Sequence, residues 1–206
     1  MVTRVLRGIA IAIVAVLVFQ DTTVAEEEPR IDGRKIVMII AKQNFRDEEL
    51  LQPKRFLEAK GANVTVACSS LSPAKGMLGN VIKPDVLVKD VKVEQFDAVV
   101  FVGGSGASEY WNDQTAHAIA RKAVAEKKLL CAICIAPVTL ANAGVLKEKK
   151  ATVWSSEAGR LKQLKVNYTG ADVETDGNII TANGPKSAQK FGETIYKRLA
   201  ERMKEG

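Results

Sequence analysis

The sequence predicts a three-layer α/β fold, a mainly parallel sheet with helices on both faces. Three observations carry that expectation. Short β-branched apolar runs alternate with amphipathic, helix-length segments from Lys35 onward. Residues 98–102 and 129–133 are apolar throughout, as strands covered on both sides are. Glycines stand where two of the helices should stop, at Gly61 and Gly144. A chain of 206 residues with 47% apolar content has material for one domain with a real core.

Residues 35–41 are the first strand. Residues 47–60 form a helix whose apolar face is Leu50, Leu51, Phe56 and Leu57. Residues 63–68 are the second strand. Residues 76–91 carry Gly76, Gly79, Pro84 and alternating valines, and predict a β-hairpin or an excursion at a sheet edge. The strand at 98–102 ends in Gly103-Gly104-Ser105-Gly106, and Asp113 opens a helix to Lys128. Residues 129–133 run into Cys134, and Pro137 starts a small-residue helix at 138–143. A short strand is expected at 151–154. A hairpin turns at Asp176-Gly177 within 173–181. The closing helix, 187–203, presents Phe191, Ile195 and Leu199 on one face.

The amino terminus reads differently. Arg4 and Arg7 precede an apolar stretch at 9–19, then Thr23-Val24-Ala25 offers small residues before three glutamates. The apolar stretch is short for a membrane span, which needs about 20 residues. Residues 1–25 are therefore expected to be a cleaved export signal, giving a periplasmic or secreted protein. The alternative is a membrane anchor that stays attached. The net charge of +6 comes from scattered lysines and arginines, with no basic stripe interleaved with aromatics. No nucleic-acid partner is expected. Three cysteines do not suggest a disulfide framework.

Function in such sheets gathers where loops leave the carboxyl ends of the strands. Three loops qualify: residues 44–49, the glycines at 103–106, and the corner at Cys134. Cys134 sits where a strand turns directly into a helix, where the positive helix end favours a thiolate. The alternative is a buried structural cysteine. Cys131 and Cys134 have Cys-x-x-Cys spacing, but three residues of strand span about 10 Å, too far for a disulfide whose Cα atoms lie within about 7 Å. With Cys68 these sulfurs make a poor metal set, and no metal is expected.

Ala132-Ile133-Cys134-x-x-Pro137 after an apolar strand resembles the nucleophile elbow of the ThiJ/PfpI superfamily, the parkinsonism-associated deglycase family. Val102-Gly103-Gly104 resembles its glycine pair, and Asp47-x-Glu49 followed by Pro53 resembles its first acidic motif. Asp176-Gly177 to Pro185 resembles its closing hairpin. The likeness covers about residues 34–203, with residues 34–206 taken as a single domain. It implies a flavodoxin-like sandwich, similar to class I glutamine amidotransferases, and a homodimer. It implies Cys134 as nucleophile, Glu49 as a carboxylic acid set against its sulfur, and the amides of Gly104 and Ile135 as anion donors beside Gly103. No cofactor is implied.

Physical chemistry makes these roles reasonable. A partly buried glutamic acid stays protonated, donates to a thiolate and moves a proton later. Glycines let backbone approach a small substrate. Pro53 deprives the Glu49 carbonyl of its helical partner, which would help open the helix there. Taken without the family, Glu49 also reads as a solvated helix-start acid.

The departures are specific. Many members carry a histidine after the cysteine, and this chain has Ile135. Others carry one on the strand after the elbow helix, where Trp154 falls. The single histidine, His117, reads as a helix-surface residue. No histidine follows Cys134, which excludes an amidotransferase triad and weakens a cysteine-peptidase reading. Tyr110-Trp111 read as loop anchors, with a pocket wall or dimer contact as the alternative. The leading expectation is an exported enzyme acting on small 2-oxoaldehydes or on proteins modified by them. The alternatives are a redox-sensing or chaperone-like stress protein using Cys134 oxidation, and a cysteine peptidase or amidase.

Overall fold

In a computed structural model, which describes residues 29–204, the elements follow in the order β1 (Lys35–Ile40), β2 (Gln43–Phe45), α1 (Asp47–Ala59), β3 (Asn63–Cys68), β4 (Ala74–Gly76), β5 (Val81–Ile82), β6 (Val86–Leu87) and β7 (Ala98–Phe101). The second half holds α2 (Gln114–Ala125), β8 (Leu129–Ile133), α3 (Pro137–Asn142), β9 (Lys150–Ala151), α4 (Ala158–Gln163), β10 (Asn167–Tyr168), β11 (Val173–Asp176), β12 (Ile179–Ala182) and α5 (Ala188–Lys204). The proposed export signal lies outside the described residues. Among those residues, no helix is long and apolar enough to cross a membrane.

A seven-stranded sheet with the order β11-β12-β8-β7-β1-β3-β6 organises the molecule. Every neighbouring pair is parallel except β11 with β12, joined by the Asp176-Gly177 turn. Alternation along the central strands sorts their side chains onto two faces. Ile36, Met38 and Ile40 of β1 join Cys131 and Ile133 of β8 under Leu50 and Leu57 of α1 and Phe191, Ile195 and Leu199 of α5. Val37 and Ile39 join Val99, Phe101, Leu130 and Ala132 under Ile119, Ala120 and Ala123 of α2 and Leu140 of α3. The unbroken apolar runs in the sequence are thus strands packed on both sides.

Strand order reverses between β1 and β7. The chain moves outward through β3 and β6 on one side and through β8 and β12 on the other. Loops diverge at such a switch point and leave a crevice at the carboxyl ends of the strands.

Four expectations change. Residues 151–154 are not a strand of the main sheet. Only Lys150–Ala151 is extended, and it pairs with Asn167–Tyr168 in a separate two-stranded ladder. Val153 is buried, while Trp154 turns the chain into a short 3-10 segment. The excursion at 76–91 is split. β4 and β5 form a hairpin that joins β2 in a small second sheet, and β6 pairs at the main sheet edge. Pro53 does not open α1, which runs unbroken from Asp47 to Ala59. Pro53 instead packs on α5 at Gly192, where a Cβ would lie 2.9 Å from the proline Cα. His117 is buried, at 6% exposure, rather than on the helix surface.

Candidate active site

Cys134 follows the last residue of β8 and takes a left-handed conformation, φ +64°. A non-glycine residue keeps that geometry only where its surroundings enforce it. Here both backbone groups are tied. The Cys134 N–H donates to the Ala182 carbonyl of β12 (2.9 Å), and its carbonyl accepts from the Trp154 N–H (2.8 Å). The strained corner turns the side chain out of the sheet, at 8% exposure.

Glu49 arrives from α1. Asp47 at the helix start is buried, and its carboxylate accepts from the backbone N–H groups of Leu78 (2.8 Å) and Asn80 (3.0 Å) and from the Asn80 side chain (2.7 Å). Burial works against the Asp47 charge, but those donors outweigh it and hold its pKa below the usual value. This anchors the helix start to the β4–β5 turn. Just before it, the Arg46 N–H donates to the Gly103 carbonyl (2.9 Å). Glu49, within the first turn, is then directed inward with 0% exposure.

Gly103 separates the two groups. A Cβ there would strike the Cβ of Cys134, Oε2 of Glu49 and the Ile133 carbonyl oxygen. Only a glycine leaves carboxyl and thiol side by side. Gly104 is required for a second reason: its φ is +95°, and a Cβ would run into the Arg46 nitrogen and the Asn44 carbonyl. Neither carboxyl oxygen of Glu49 closes a hydrogen bond of ordinary length. The carboxyl group as a whole lies near enough to the Cys134 thiol and the Gly103 N–H to be influenced by each.

Burial pushes the Glu49 carboxyl up to about 8, against the pull of the thiol, of Arg46 and of the Gly103 amide. Burial also pushes the Cys134 thiol up to about 12, and the adjoining carboxylate adds to the rise. The N–H groups of Gly104 and Ile135 act on the same sulfur and favour its anion. The sequence reading of a depressed thiol pKa is therefore corrected. α3 has six residues and begins at Pro137, so a short, offset helix end does not overcome burial beside an acid. The result is a coupled pair that keeps both protons below about pH 8 and shares one above it.

Cys134 opens onto a cleft of about 480 Å³ lined also by Ile135, Gly104, Arg46, Met77, Trp111, Trp154 and Pro185, among others, with Glu49 buried behind it. A neighbouring cavity of about 530 Å³ shares Arg46, Trp154 and Pro185. The Trp154 ring rests on Gly184, where a Cβ would meet it at 2.7 Å. The structure thus brings Cys134, Glu49, Gly103, Gly104 and Ile135 together. Cys131 and Cys68 are buried free thiols of the core, and burial raises the Cys131 pKa well above the ordinary value. Tyr110 is an anchor: its hydroxyl donates to the Ile40 carbonyl (2.9 Å) and accepts from the Ser69 N–H (3.1 Å). Trp111 is a cleft wall. His117 spends Nε2 on the Trp111 carbonyl (2.8 Å).

Sequence reasoning placed Arg46 and Ser105 in candidate loops without giving either a role, and did not select Met77 or Ser108. Arg46 had one available signal, its position directly before the acidic motif. Met77 had none, because the hairpin turn carries it into the cleft from 28 residues beyond Glu49.

A doubly covered, mostly parallel sheet with a cysteine elbow set against a buried carboxyl at its strand ends defines a flavodoxin-like protein of the ThiJ/PfpI kind. The chain belongs to the DJ-1/PfpI family, which it matches over residues 34–198. It is 37% identical over 177 residues to an uncharacterized protein of Methanocaldococcus jannaschii, covering 84% of this chain and 86% of that one. It is 31% identical over 163 residues to a deglycase of Pyrococcus horikoshii, covering 79% and 98%. The crystal structure of a ThiJ/PfpI domain protein from Brachyspira murdochii superposes with a TM-score of 0.80 at 31% identity, covering 84% of this chain and 99% of that one.

Proposed function

We propose that the protein is a cofactor-independent enzyme acting on small 2-oxoaldehydes or on their adducts with proteins. The observation that carries this reading is the buried Glu49 carboxyl set against Cys134 beside Gly103, with Cys134 lining an open cleft. Relatives named as deglycases add support.

With one proton left in the pair, the tautomer Glu49–COOH with Cys134–S⁻ is the reactive form. The sulfur adds to the aldehyde carbon of methylglyoxal, and the carbonyl electron pair moves to oxygen. The amides of Gly104 and Ile135 face that developing charge, and Glu49 gives the oxygen its proton. The Glu49 carboxylate then removes the hydrogen from the former aldehyde carbon and returns it to the adjacent carbon. The hydroxyl proton on the former aldehyde oxygen passes to the ketone oxygen, so that the ketone becomes an alcohol and the hemithioacetal a thioester. Water cleaves the thioester, restoring the thiol and releasing lactate. Oxidation at one carbon balances reduction at the other, so no outside oxidant enters. In the deglycase version the leaving group is the amine or thiol of the modified protein, for which a cleft of about 480 Å³ leaves room.

Wild type is expected to convert methylglyoxal to lactate and Cys134→Ala to show none; equal lactate from both ends the proposal. Both tryptophans of the chain, Trp111 and Trp154, line the cleft. A competitive ligand should therefore shift the intrinsic fluorescence, and unchanged emission at saturation would place binding elsewhere.

A second reading uses the same donors. A sulfinate on Cys134 would be held by the Gly104 and Ile135 amides and by protonated Glu49, making the protein a peroxide sensor. Mass spectrometry after mild peroxide separates the two readings, since selective gain of two oxygens at Cys134 without lactate production favours the sensor. The proposal also includes export through residues 1–25 and a homodimer. A mature amino terminus at Glu26 supports cleavage and an intact Met1 contradicts it; light scattering reads the mass of the assembly.

A further inference from the structure

We infer that His117 is a positioning residue for the site, acting through Trp111 on the Ile135 peptide beside the Cys134 sulfur. The inference rests on Cys134 being the reacting atom, as proposed above. It concerns a residue that the proposed chemistry leaves unused.

His117 lies on α2, whose first turn is fixed by Asp113, the carboxylate of which accepts from the Ala116 N–H (2.7 Å). A buried polar side chain requires a partner, and His117 finds the Trp111 carbonyl at 2.8 Å. That acceptor requires the Nε2 proton to be in place. The Asn142 side-chain amide, from the end of α3, donates to the same carbonyl at 2.7 Å. Trp111 is thereby held at its backbone by two helices. Its ring is held separately, with the Arg160 guanidinium 4.8 Å from the ring centre.

The far edge of the indole completes the connection. Trp111 Nε1 donates to the Ile135 carbonyl at 3.2 Å, alongside the Val138 N–H. The peptide before it, carrying the Ile135 N–H, is held at its carbonyl by the Trp154 N–H (2.8 Å). Ile135 is thus clamped on both sides, and its N–H acts on the Cys134 sulfur. The only histidine of the chain stands two hydrogen bonds behind an anion donor, reaching it through the Trp111 carbonyl and indole. Donors held by locked supporting side chains keep their aim when charge develops, and small displacements cost rate.

The test reads Cys134 itself. Wild type, His117→Phe, His117→Gln, Trp111→Phe and the double Phe variant are alkylated with iodoacetamide at pH 8, and Cys134 modification is followed by mass spectrometry. His117→Phe and Trp111→Phe are each expected to slow alkylation about tenfold. The double variant should be no slower than either single one, because both break one connection. His117→Gln, whose side-chain N–H can replace the Nε2 donor, should stay within about twofold of wild type. With methylglyoxal, the two Phe variants should lose kcat with KM nearly unchanged. A wild-type alkylation rate in His117→Phe, or additive losses in the double variant, overturns the inference. Should His117→Phe fail to fold, Trp111→Phe carries the same expectation and the same overturning result. If wild type turns over no aldehyde while the alkylation pattern holds, the substrate reading fails and the positioning role stands.

Discussion

Glu49→Gln is expected to stabilise the folded protein above about pH 6 while silencing its chemistry. The Glu49 carboxyl is fully buried, and its pKa rises from 4.5 to about 8 on folding. Between those values the folded chain binds a proton that the unfolded chain has released. Folding stability therefore falls as pH rises through that interval, by up to about 1.4 kcal/mol per pH unit. Below pH 4.5 both states are protonated and the penalty vanishes; above about 8 it is complete. Glutamine has the shape of the protonated acid and never ionises. Chemical denaturation should thus show Glu49→Gln ahead by about 3 kcal/mol at pH 7 and equal to wild type at pH 4. Turnover should fall by about 10²–10⁴, the usual contribution of a proton-transferring side chain. A variant less stable than wild type at pH 8, or one with full turnover, contradicts this account. Stability given up at an active-site acid is the expected signature of a group retained for chemistry.

Gly103→Ala is expected to damage stability and activity together. The added Cβ meets the Cys134 Cβ and the Ile133 carbonyl, neither of which can swing aside, besides the Glu49 carboxyl. Overpacking of this kind costs about 1–3 kcal/mol. Of these three groups, Glu49 alone is a side-chain end that can move, so relief comes by pushing the acid away from the thiol. A displacement near 1 Å is sufficient for a loss of about 10² in rate. Denaturation and lactate formation should both report the change, and normal kinetics in Gly103→Ala would mean that the carboxyl need not adjoin the sulfur.

Much of this was legible in the sequence because it rests on local pattern. The runs at 98–101 and 129–133 had to be doubly covered strands, and the Asp176-Gly177 turn had to reverse the chain. The Cys134 corner was visible from an apolar strand, a cysteine and Pro137 in succession. Other features depend on distant partners. Residues 151–154 have strand-like composition, yet the main-sheet position beside β8 is occupied by β12, whose Thr181 hydroxyl instead accepts from the Thr152 N–H (2.9 Å). His117 reads as a surface residue until the loop at 105–112 folds back and presents the Trp111 carbonyl. The thiol pKa was misjudged because a helix end is readable in sequence and depth of burial is not. Glu49 shows the same division: its place in the helix followed from spacing, and its direction followed from Asp47 binding a turn about 30 residues onward.

The central claim is that one buried carboxyl holds its proton beside the Cys134 sulfur at neutral pH. Carbon-13 NMR titration of the Glu49 side-chain carboxyl, assigned by the signal that disappears in Glu49→Gln, measures this directly. The account predicts a midpoint near pH 8 in wild type, moving upward in Cys134→Ala, which removes the thiol that favours the carboxylate while the acid stays buried. A midpoint near 4.5, unchanged in Cys134→Ala, would show an ordinary solvated carboxylate and contradict the shared-proton pair.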